Sequence, residues 1–473
     1  MKKLPLLLCL CATSMVWAQK SSTDYSDALL LLDRWLEAGH AYKHLPALSV
    51  SVTKDQQLLW TKAYGLSNVS GNVAATPGTI YSICSISKLF TAAAVMQLYD
   101  EGKLRLDDPI ESILTDFNLK QQFKDSGPIT IRSLLTHSSG LPRESDYPYW
   151  TGPDFTFPTQ DQVKSKLKDQ QTLYPASTYF QYSNLGLTLL GEIVEKVSGK
   201  KYNDYVEEKI LKPLRLNETH PYLPVAEHGK KMAVGYSALH RDGHREPVVL
   251  FDARGITSAA GYSSNVEDLG RFASWQFRLL ENGGAEVLKA STLKEMHRVQ
   301  WMDPDWNTSW GLGFAVEREG STTIVAHGGS CPGYRTILAL DPKEKMAYSV
   351  MINAGGESPE FFSREIRELL AKVPGEKQAL KAGVDLTKYA GNYSDQPWGS
   401  ETIITPWYGD LAMIDATSSN PDEGMTLLRH VEGNTFRRVR KDKTLGEEVV
   451  FETDPSGKVT RVRQHSNYSV KLK

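Results

Sequence analysis

The sequence predicts a mixed α/β (α+β) fold followed by a separate all-β domain. Two observations along the 473 residues indicate this division. From residue 19 to about 373, apolar residues at helical spacing alternate with β-prone runs, which is typical of helices and strands packed in one domain. A polar stretch without periodicity at 374–385 is a candidate linker. From 386 to 473, short alternating segments are separated by Gly, Asn, Asp and Pro, as in a small barrel or sandwich.

The first elements of the mixed domain are predicted from apolar spacing. Residues 22–42 carry leucines and a tryptophan at helical spacing, which indicates an amphipathic helix. An alternating apolar run at 48–52 predicts a half-buried strand, with residues 57–64 as its hairpin partner. Ser264, with Glu267 three residues later, predicts a capping box that opens a further helix.

The later elements are predicted in the same way. A β-rich run at 322–326 is followed by a predicted hairpin of 334–340 and 347–352, and residues 359–373 predict a closing amphipathic helix. The β-prone segments of the C-terminal domain are 401–404, 411–414, 425–428, 436–439, 449–452 and 459–462.

Residues 1–18 predict a cleavable secretory signal. Lys2 and Lys3 precede a short apolar run, and small residues end at Ala18. An uncleaved anchor is the alternative, but the apolar run is too short to span a bilayer comfortably. We therefore expect a periplasmic or secreted protein with no membrane span after cleavage.

Composition gives no reason to expect a nucleic-acid partner, and the cysteine count leaves open whether a disulfide forms. With 23% charged residues and a formal net charge of -2, nothing favours binding to nucleic acid. Removal of the signal would leave Cys84 and Cys331, an even pair that is a candidate disulfide in an oxidising compartment. Two buried free thiols are the alternative.

The segment 83–98 carries the strongest chemical signal. From Ser87 onward it predicts a helix, and Lys88 follows Ser85 by three residues, so the two side chains share one face. A serine hydroxyl becomes a nucleophile when a neighbouring base takes its proton, and a desolvated lysine can be that base. Alone, this spacing favours a capping serine and a solvated lysine, so the chemical interpretation needs support from elsewhere in the chain.

Two later motifs support the chemical interpretation. Tyr182-Ser183-Asn184 precedes an apolar helix, and His327-Gly328-Gly329 follows the β-rich run. Ahead of both motifs, the aromatic loop 142–158 either lines a cleft or is simply exposed. His137 lies in a predicted turn, where we expect a packing role rather than a catalytic one.

Together, Ser85-x-x-Lys88, Tyr182-Ser183-Asn184 and His327-Gly328-Gly329 resemble the serine β-lactamase and penicillin-binding-protein superfamily. The class C-like branch, with its peptidases and esterases, is the most similar, and segments 135–141 and 310–314 also fit it. The resemblance covers about residues 25–372. The C-terminal domain resembles, more weakly, a lipocalin-like β-domain.

The resemblance implies an antiparallel sheet flanked by helices, a helical lobe, and a site between them. It also implies roles for residues. The catalytic residues would be Ser85 as acylated nucleophile, Lys88 as its proton acceptor and Tyr182 as proton shuttle. Asn184, His327 and Gly329 would contact substrate, and the backbone N–H groups of Ser85 and Ser330 would form the oxyanion hole. Whether Lys88 or Tyr182 is the general base stays open.

Two departures from the family matter. His327 stands where many members have lysine, and because histidine titrates near neutrality, we expect a substrate carboxylate to be held less firmly. Cys84 directly precedes Ser85 and Cys331 follows Ser330. Class A carbapenemases carry a disulfide at the same relative positions, so the resemblance implies a Cys84–Cys331 bridge.

Three functions remain in view. The first is an exported serine hydrolase that acts through an acyl-enzyme on an ester, an amide or a D-amino-acid peptide. The second is a β-lactamase or penicillin-binding DD-carboxypeptidase, and the third is a non-catalytic binding protein that keeps the fold. No metal, phosphate or dinucleotide motif is present, so we expect no cofactor and a small-molecule or peptide partner. The oligomeric state is not predicted, and the C-terminal domain could cover the cleft or mediate assembly.

Overall fold

The computed structural model describes residues 23–374 and 384–472. The predicted signal at 1–18 and most of the predicted linker, residues 375–383, lie outside the described residues. The predictions for these two segments therefore stay predictions.

The mixed domain contains a nine-stranded antiparallel sheet among the described residues, in the order β3-β2-β1-β13-β12-β11-β10-β9-β8. Its nine strands are β1 Ala47–Lys54, β2 Gln57–Asn68, β3 Val73–Ala74, β8 Trp301–Met302, β9 Ser309–Trp310, β10 Ala315–Glu319, β11 Thr322–Cys331, β12 Tyr334–Asp341 and β13 Met346–Ile352. Two further pairs form separate two-stranded sheets: β4 Tyr81–Cys84 with β5 Tyr262–Ser264, and β6 Ala285–Glu286 with β7 Leu288–Lys289.

Helices cover both faces of this sheet and form a lobe beside it. They are α1 Ser26–Tyr42, α2 Ser87–Asp100, α3 Ile131–Leu135, α4 Gln160–Leu167, α5 Asn184–Ser198, α6 Tyr202–Val206, α7 Lys212–Leu214, α8 Thr257–Ala260, α9 Val266–Asn282, α10 Ala290–Met296 and α11 Pro359–Ala371. Short 3₁₀ segments at Ile110–Ser112, Val225–Glu227, Arg254–Ile256 and Leu386–Tyr389, and a π segment at Glu207–Leu211, complete the helical elements of the described residues.

Strand β1 differs from its prediction because both of its faces are buried. Helix α9 packs on one face, and α1 and α11 cover the other side of the sheet. The alternating serines on the α9 side find partners there: Ser51 Oγ donates to the Val266 carbonyl at 2.8 Å, and Ser49 shares a hydrogen bond of 2.8 Å with the Tyr81 hydroxyl. Small hydroxyl side chains can be buried when they are hydrogen-bonded. The alternation of serine with apolar residues in β1 therefore did not indicate that one face of the strand is exposed to solvent.

The predicted capping box at Ser264 is wrong by one residue. Ser264 ends β5, and the cap of α9 is Asn265, whose side chain accepts from the Asp268 N–H at 2.8 Å. Both residues are good caps, so local sequence alone did not separate them. The pairing of β5 with β4 extends the strand through Ser264 and decides the register.

The C-terminal domain is a closed eight-stranded barrel among the described residues, as predicted for a small barrel. Its strands are β14 Gly391–Ser394, β15 Glu401–Trp407, β16 Asp410–Asp415, β17 Thr426–Glu432, β18 Thr435–Val439, β19 Leu445–Thr453, β20 Val459–Gln464 and β21 Asn467–Lys471. The sequence predicted the six middle strands. It missed β14 and β21, whose pairing closes the barrel.

The barrel is joined to α1 by specific contacts. Tyr408 donates its N–H to the Asp27 carboxylate and its hydroxyl to the Asp24 carbonyl, both at 2.7 Å. Trp35, buried in α1, donates to the Ser418 carbonyl at 3.3 Å. Apolar side chains of β15 and β16 belong to the same buried cluster as α1 and α11. The barrel therefore packs on the helices that cover one face of the sheet.

In the parts of the chain that the structure describes, no helix combines the length and the apolar character needed to cross a bilayer.

The barrel contact predicts a large loss of stability when Tyr408 is truncated. Tyr408→Ala removes a side chain that is only 4% exposed, together with the hydrogen bond of its hydroxyl. We expect unfolding in urea to show a loss of about 3 to 5 kcal/mol. Trp398→Ala is the control, because Trp398 is 94% exposed on the same barrel and should change stability by less than about 0.5 kcal/mol. Equal effects of the two variants would contradict the role of this interface.

Candidate active site

Ser85 lies in the turn that joins β4 to α2, two residues ahead of the helix. Its carbonyl accepts the Lys88 N–H at 3.0 Å, so the turn tightens directly into the helix. Lys88 Nζ lies 3.0 Å from Ser85 Oγ. The predicted pair therefore shares one face at the start of α2, where N–H groups without intrahelical partners favour developing negative charge.

Lys88 is completely buried, and burial lowers its pKa well below the usual value of a lysine. The nearby Glu144 carboxylate acts in the opposite direction, and Arg143 lowers the pKa further. Nζ also contacts Asn184 Oδ1 at 2.8 Å and the Ala259 carbonyl at 2.7 Å. These two neutral oxygens hold the amine in place without a charged partner in contact, so the site favours the neutral amine that a general base requires.

Tyr182 is the second candidate base, and its burial raises the pKa of the phenol. A side-chain hydrogen bond with Ser85 and the Arg143 charge act in the opposite direction. Lys88 Nζ and the Arg143 guanidinium each lie 4.9 Å from the centre of the Tyr182 ring. A phenol with a raised pKa keeps its proton at neutral pH, which suits a proton donor better than a base.

Asn184 connects Lys88 to a residue that sequence reasoning missed. While its Oδ1 accepts from Lys88, its Nδ2 donates to Glu144 Oε1 at 2.6 Å. The other carboxylate oxygen of Glu144 accepts from the Tyr149 hydroxyl. Glu144 therefore fixes which end of the amide faces Lys88. Its position in the aromatic loop 142–158, the segment considered as a cleft wall, was the only signal in the sequence.

Strand β11 carries the third motif to the edge of the cleft. Its Gly329 lies so close to the nucleophile segment that a Cβ would be 2.2 Å from the Ile83 carbonyl oxygen and from Thr336 Oγ1. Only glycine permits this approach. Ser330 follows directly and lines the cleft together with Ser85.

His327 is 4% exposed, and burial lowers its pKa to about 3. This differs from the expectation that it titrates near neutrality. Nδ1 lies 2.7 Å from the Gly328 carbonyl, which assigns the proton of the neutral ring to that nitrogen. Nε2 is buried and has no hydrogen-bond partner among the described residues. At neutral pH, His327 therefore offers an acceptor and no positive charge.

Cys84 and Cys331 form a disulfide, the pairing that the resemblance implied. Their Cα atoms are 5.7 Å apart, and 247 positions separate them in the sequence. One cysteine precedes the nucleophile and the other ends β11. The bridge thus ties the two segments whose spacing shapes the site.

His137 also proves to be part of the site. It is buried, its Nδ1 accepts the Ser183 N–H at 3.1 Å, and its ring lies 4.2 Å from that of Tyr182. Trp310 packs edge-on against the same histidine at 5.2 Å. His137 therefore has the packing role that the sequence predicted, and the side chain it packs against is Tyr182, a predicted catalytic residue. We describe it as a positioning residue for Tyr182.

Two adjoining cavities meet at Ser85, with volumes of about 680 and 540 Å³. The larger, which we call the Tyr182 lobe, is lined by Tyr182, Trp310 and His327. The smaller, the aromatic lobe, is lined by Glu144, Asn184, Trp150, Phe155 and Tyr236. The loop 142–158 is therefore a cleft wall. The residues that line either cavity belong to the mixed domain, so the barrel does not form part of the cleft in the described chain.

One group of side chains among the described residues is close enough to share a metal ion. It consists of His240, His244 and Glu246, which are all exposed. These residues line neither lobe, and the side chains around Ser85 form no such group in the described ranges.

The family model described as Beta-lactamase matches residues 32–372, which is most of the chain. The chain belongs to the beta-lactamase family. The matched region contains the three motifs and both lobes, and the family resemblance predicted from the sequence is confirmed.

Two relatives and one solved structure show the range of similar proteins. The unguisins hydrolase ungD' of Aspergillus campestris is 30% identical over 340 residues, 68% of this chain and 59% of that protein. Penicillin-binding protein 4 of Amycolatopsis lactamdurans is 27% identical over 370 residues, 74% of this chain and 93% of that protein. The structure of the octameric penicillin-binding protein homologue from Pyrococcus abyssi has a TM-score of 0.65 at 25% identity, covering 94% of this chain and 100% of that one. This chain is thus a β-lactamase-fold protein of a hydrolase family.

The Glu144 contact predicts a shift in pH dependence. Glu144→Gln keeps an acceptor for Asn184 but removes the charge that raises the Lys88 pKa. Because the Lys88 ammonium loses that stabilisation, the neutral amine should persist to lower pH. The acid limb of Ser85 labelling by a fluorophosphonate should move to lower pH. A limb that stays in place or moves upward would contradict this electrostatic role.

We expect the Cys84–Cys331 disulfide to be present in protein produced without residues 1–18. Alkylation under denaturing, non-reducing conditions should find no free thiol, and two alkylatable thiols would refute the bridge. The double change Cys84→Ser and Cys331→Ser should cost about 2 to 5 kcal/mol of stability, because the bridge closes a long loop in the unfolded chain. Reduced wild-type protein is the matched control for loss of the bridge without substitution.

Proposed function

We propose that this protein is an exported serine hydrolase that acts through an acyl-enzyme on an ester, an amide or a D-amino-acid peptide. The observation that carries the proposal is the contact of 3.0 Å between Ser85 Oγ and Lys88 Nζ, in surroundings that lower the lysine pKa. A serine beside a neutral amine is an activated nucleophile.

In the proposed acylation step, Ser85 Oγ attacks the carbonyl carbon of the substrate while its proton passes to Lys88 Nζ. The carbonyl oxygen becomes an oxyanion held by the backbone N–H groups of Ser85 and Ser330. Loss of one such donor costs roughly 3 to 4 kcal/mol of barrier. The bond to the leaving group then breaks as Tyr182 donates its proton, and the acyl group stays on Ser85.

Deacylation reverses these roles with water as nucleophile. Tyr182, deprotonated by the first half-reaction and close to the positive charge of Lys88, takes a proton from water, which attacks the acyl carbonyl. Ser85 leaves with the proton returned by Lys88. Asn184 holds Lys88 throughout, and Glu144 holds Asn184.

The neutral state of His327 bears on the choice of substrate. A lysine at this position would attract a carboxylate, whereas the buried imidazole supplies no positive charge. We therefore place esters and peptides ahead of β-lactams, whose ring carries a carboxylate beside the reacting amide.

Export is part of the proposal. The charged and apolar pattern of residues 1–18 is typical of a secretory signal. A disulfide between Cys84 and Cys331 is compatible with an oxidising compartment such as the periplasm or the extracellular space.

The test is an activity screen against p-nitrophenyl esters, D-alanyl peptides and nitrocefin. Ser85→Ala should lower kcat/KM on a turned-over substrate by about a thousandfold or more, since it removes the nucleophile. Ser70→Ala, a change of an exposed serine outside both lobes, should leave it unaltered. The fold should be checked by circular dichroism.

Three outcomes would count against the proposal. Activity that survives in Ser85→Ala would remove the nucleophile assignment. A nitrocefin kcat/KM above about 10⁵ M⁻¹s⁻¹, within the usual enzyme range, would favour a β-lactamase. Absence of any Ser85-dependent turnover or covalent labelling would favour a binding protein that keeps the fold.

A further inference from the structure

The two lobes of the cleft receive different parts of a substrate. A proton donor to the leaving group must stand beside it, and Tyr182 lines the Tyr182 lobe but not the aromatic lobe. A leaving group that takes its proton from Tyr182 would therefore occupy the Tyr182 lobe. The acyl group would then occupy the aromatic lobe, where Trp150, Phe155 and Tyr236 provide apolar surface.

The lining of the Tyr182 lobe contains three carboxylates and two arginines. Glu317, Glu357 and Glu360 line this lobe alone, whereas its arginines, Arg143 and Arg335, line both lobes and mark their junction. Beyond that junction, the lining of the Tyr182 lobe contains no lysine or arginine. A leaving group that extends away from Ser85 therefore meets carboxylates.

Glu317 and Glu360 form no ion pair within 4 Å among the described residues, although the charge of Arg367 acts on Glu317. Glu357 is paired with Lys43 at 3.3 Å and lies 3.8 Å from Arg245. Glu360 accepts from the Ser358 hydroxyl at 2.9 Å. Burial and the charges of Glu319 and Glu360 raise the pKa of Glu317, while the charge of Arg367 acts in the opposite direction. Two carboxylates that repel one another are both stabilised by a cation placed between them.

A separate observation, at His327, favours a ligand that brings a hydrogen-bond donor into the same lobe. It lines the Tyr182 lobe, is almost fully buried and keeps a lone pair on Nε2 without a partner in the described chain. A buried acceptor without a partner is costly, and a donor from a ligand removes that cost. An ammonium or N–H group supplies such a donor, whereas a carboxylate does not.

We propose that the leaving group is an amine or alcohol that carries a positive charge, held by Glu317 and Glu360 with His327 as a neutral acceptor beside them. This inference rests on the proposed function. Cleavage leaves the acyl group on Ser85, and the proton from Tyr182 goes to the departing nitrogen or oxygen. The released product keeps its cationic group.

The experiment uses phenylacetyl amides of 1,4-diaminobutane, butylamine and 4-aminobutyrate, which differ mainly in the charge of the leaving end. Binding to Ser85→Ala is measured by calorimetry at low salt, because the glutamates are exposed and salt screens them. Turnover by the wild-type protein is measured in parallel. The cationic amide should bind about tenfold more tightly than the neutral one, the size of one charge-assisted contact, and the anionic amide should bind most weakly.

Variants assign the preference to residues. Glu317→Gln with Glu360→Gln should reduce the preference for the cationic amide to less than about threefold, while Glu111→Gln, at an exposed glutamate outside both lobes, should keep it. His327→Phe should weaken binding of the cationic amide, and His327→Gln, which retains an acceptor, should restore part of it. No charge preference, or one that survives the double change, would overturn the inference.

The outcomes separate the two proposals. Ser85-dependent hydrolysis of a neutral ester without a charge preference would leave the hydrolase standing and remove the cationic subsite. A charge preference in binding without any Ser85-dependent turnover would leave the subsite standing and remove the hydrolase.

Discussion

The chemistry of the candidate site depends on the burial of the Lys88 side-chain amine. Lys88 is enclosed in the core of the mixed domain, with its nitrogen in contact with Ser85 Oγ, Asn184 Oδ1 and the Ala259 carbonyl. Transfer of an ammonium out of water is so unfavourable that the neutral form is favoured. The same burial that lowers the lysine pKa raises that of Tyr182. In the proposed mechanism, the base and the proton donor therefore owe their opposite pKa shifts to the same desolvated environment.

That environment requires three distant segments to meet within a few ångströms. Lys88, which contacts Ser85, lies in the first turn of α2, and Asn184 is the first residue of α5. His327 and Gly329 lie in β11. Gly329 permits the approach of β11 to Ile83, and the Cys84–Cys331 disulfide ties the same two segments. The site is therefore fixed by backbone contact and a covalent bond before any substrate enters. Such preorganisation is what electrostatic stabilisation of an oxyanion needs.

The barrel and the cleft lining have different parts in the structure: the barrel packs on α1, and the two lobes form the surface that a substrate would contact. The barrel packs on α1, with Tyr408 and Trp35 in the interface, and lies apart from the cleft lining in the described residues. Selection belongs to the two lobes at Ser85. An aromatic wall on one side and glutamates with a neutral histidine on the other make the cleft asymmetric in polarity and charge. Under the proposed function, this asymmetry would distinguish the acyl end of a substrate from its leaving end.

The sequence by itself determined the elements whose causes are local. The spacing of Ser85 and Lys88 predicted that their side chains would lie together where α2 begins. Alternation and turn residues predicted the β12–β13 hairpin, and repeated short β segments predicted a small barrel. The motifs, taken together, identified the family. Each of these signals lies within a few residues, where helix and strand periodicity act.

Only the tertiary structure decided what depends on burial and on contacts between distant residues. Burial lowers the pKa of His327, so its ring is neutral. Glu144 accepts a hydrogen bond from Asn184, and the loop residue His137 packs against Tyr182. The tertiary structure also chose Asn265 rather than Ser264 as a cap, and added β14 and β21 to close the barrel. The physical reason is common to all of them. Desolvation and long-range pairing are set by neighbours that lie far away in the sequence, and no local pattern records them.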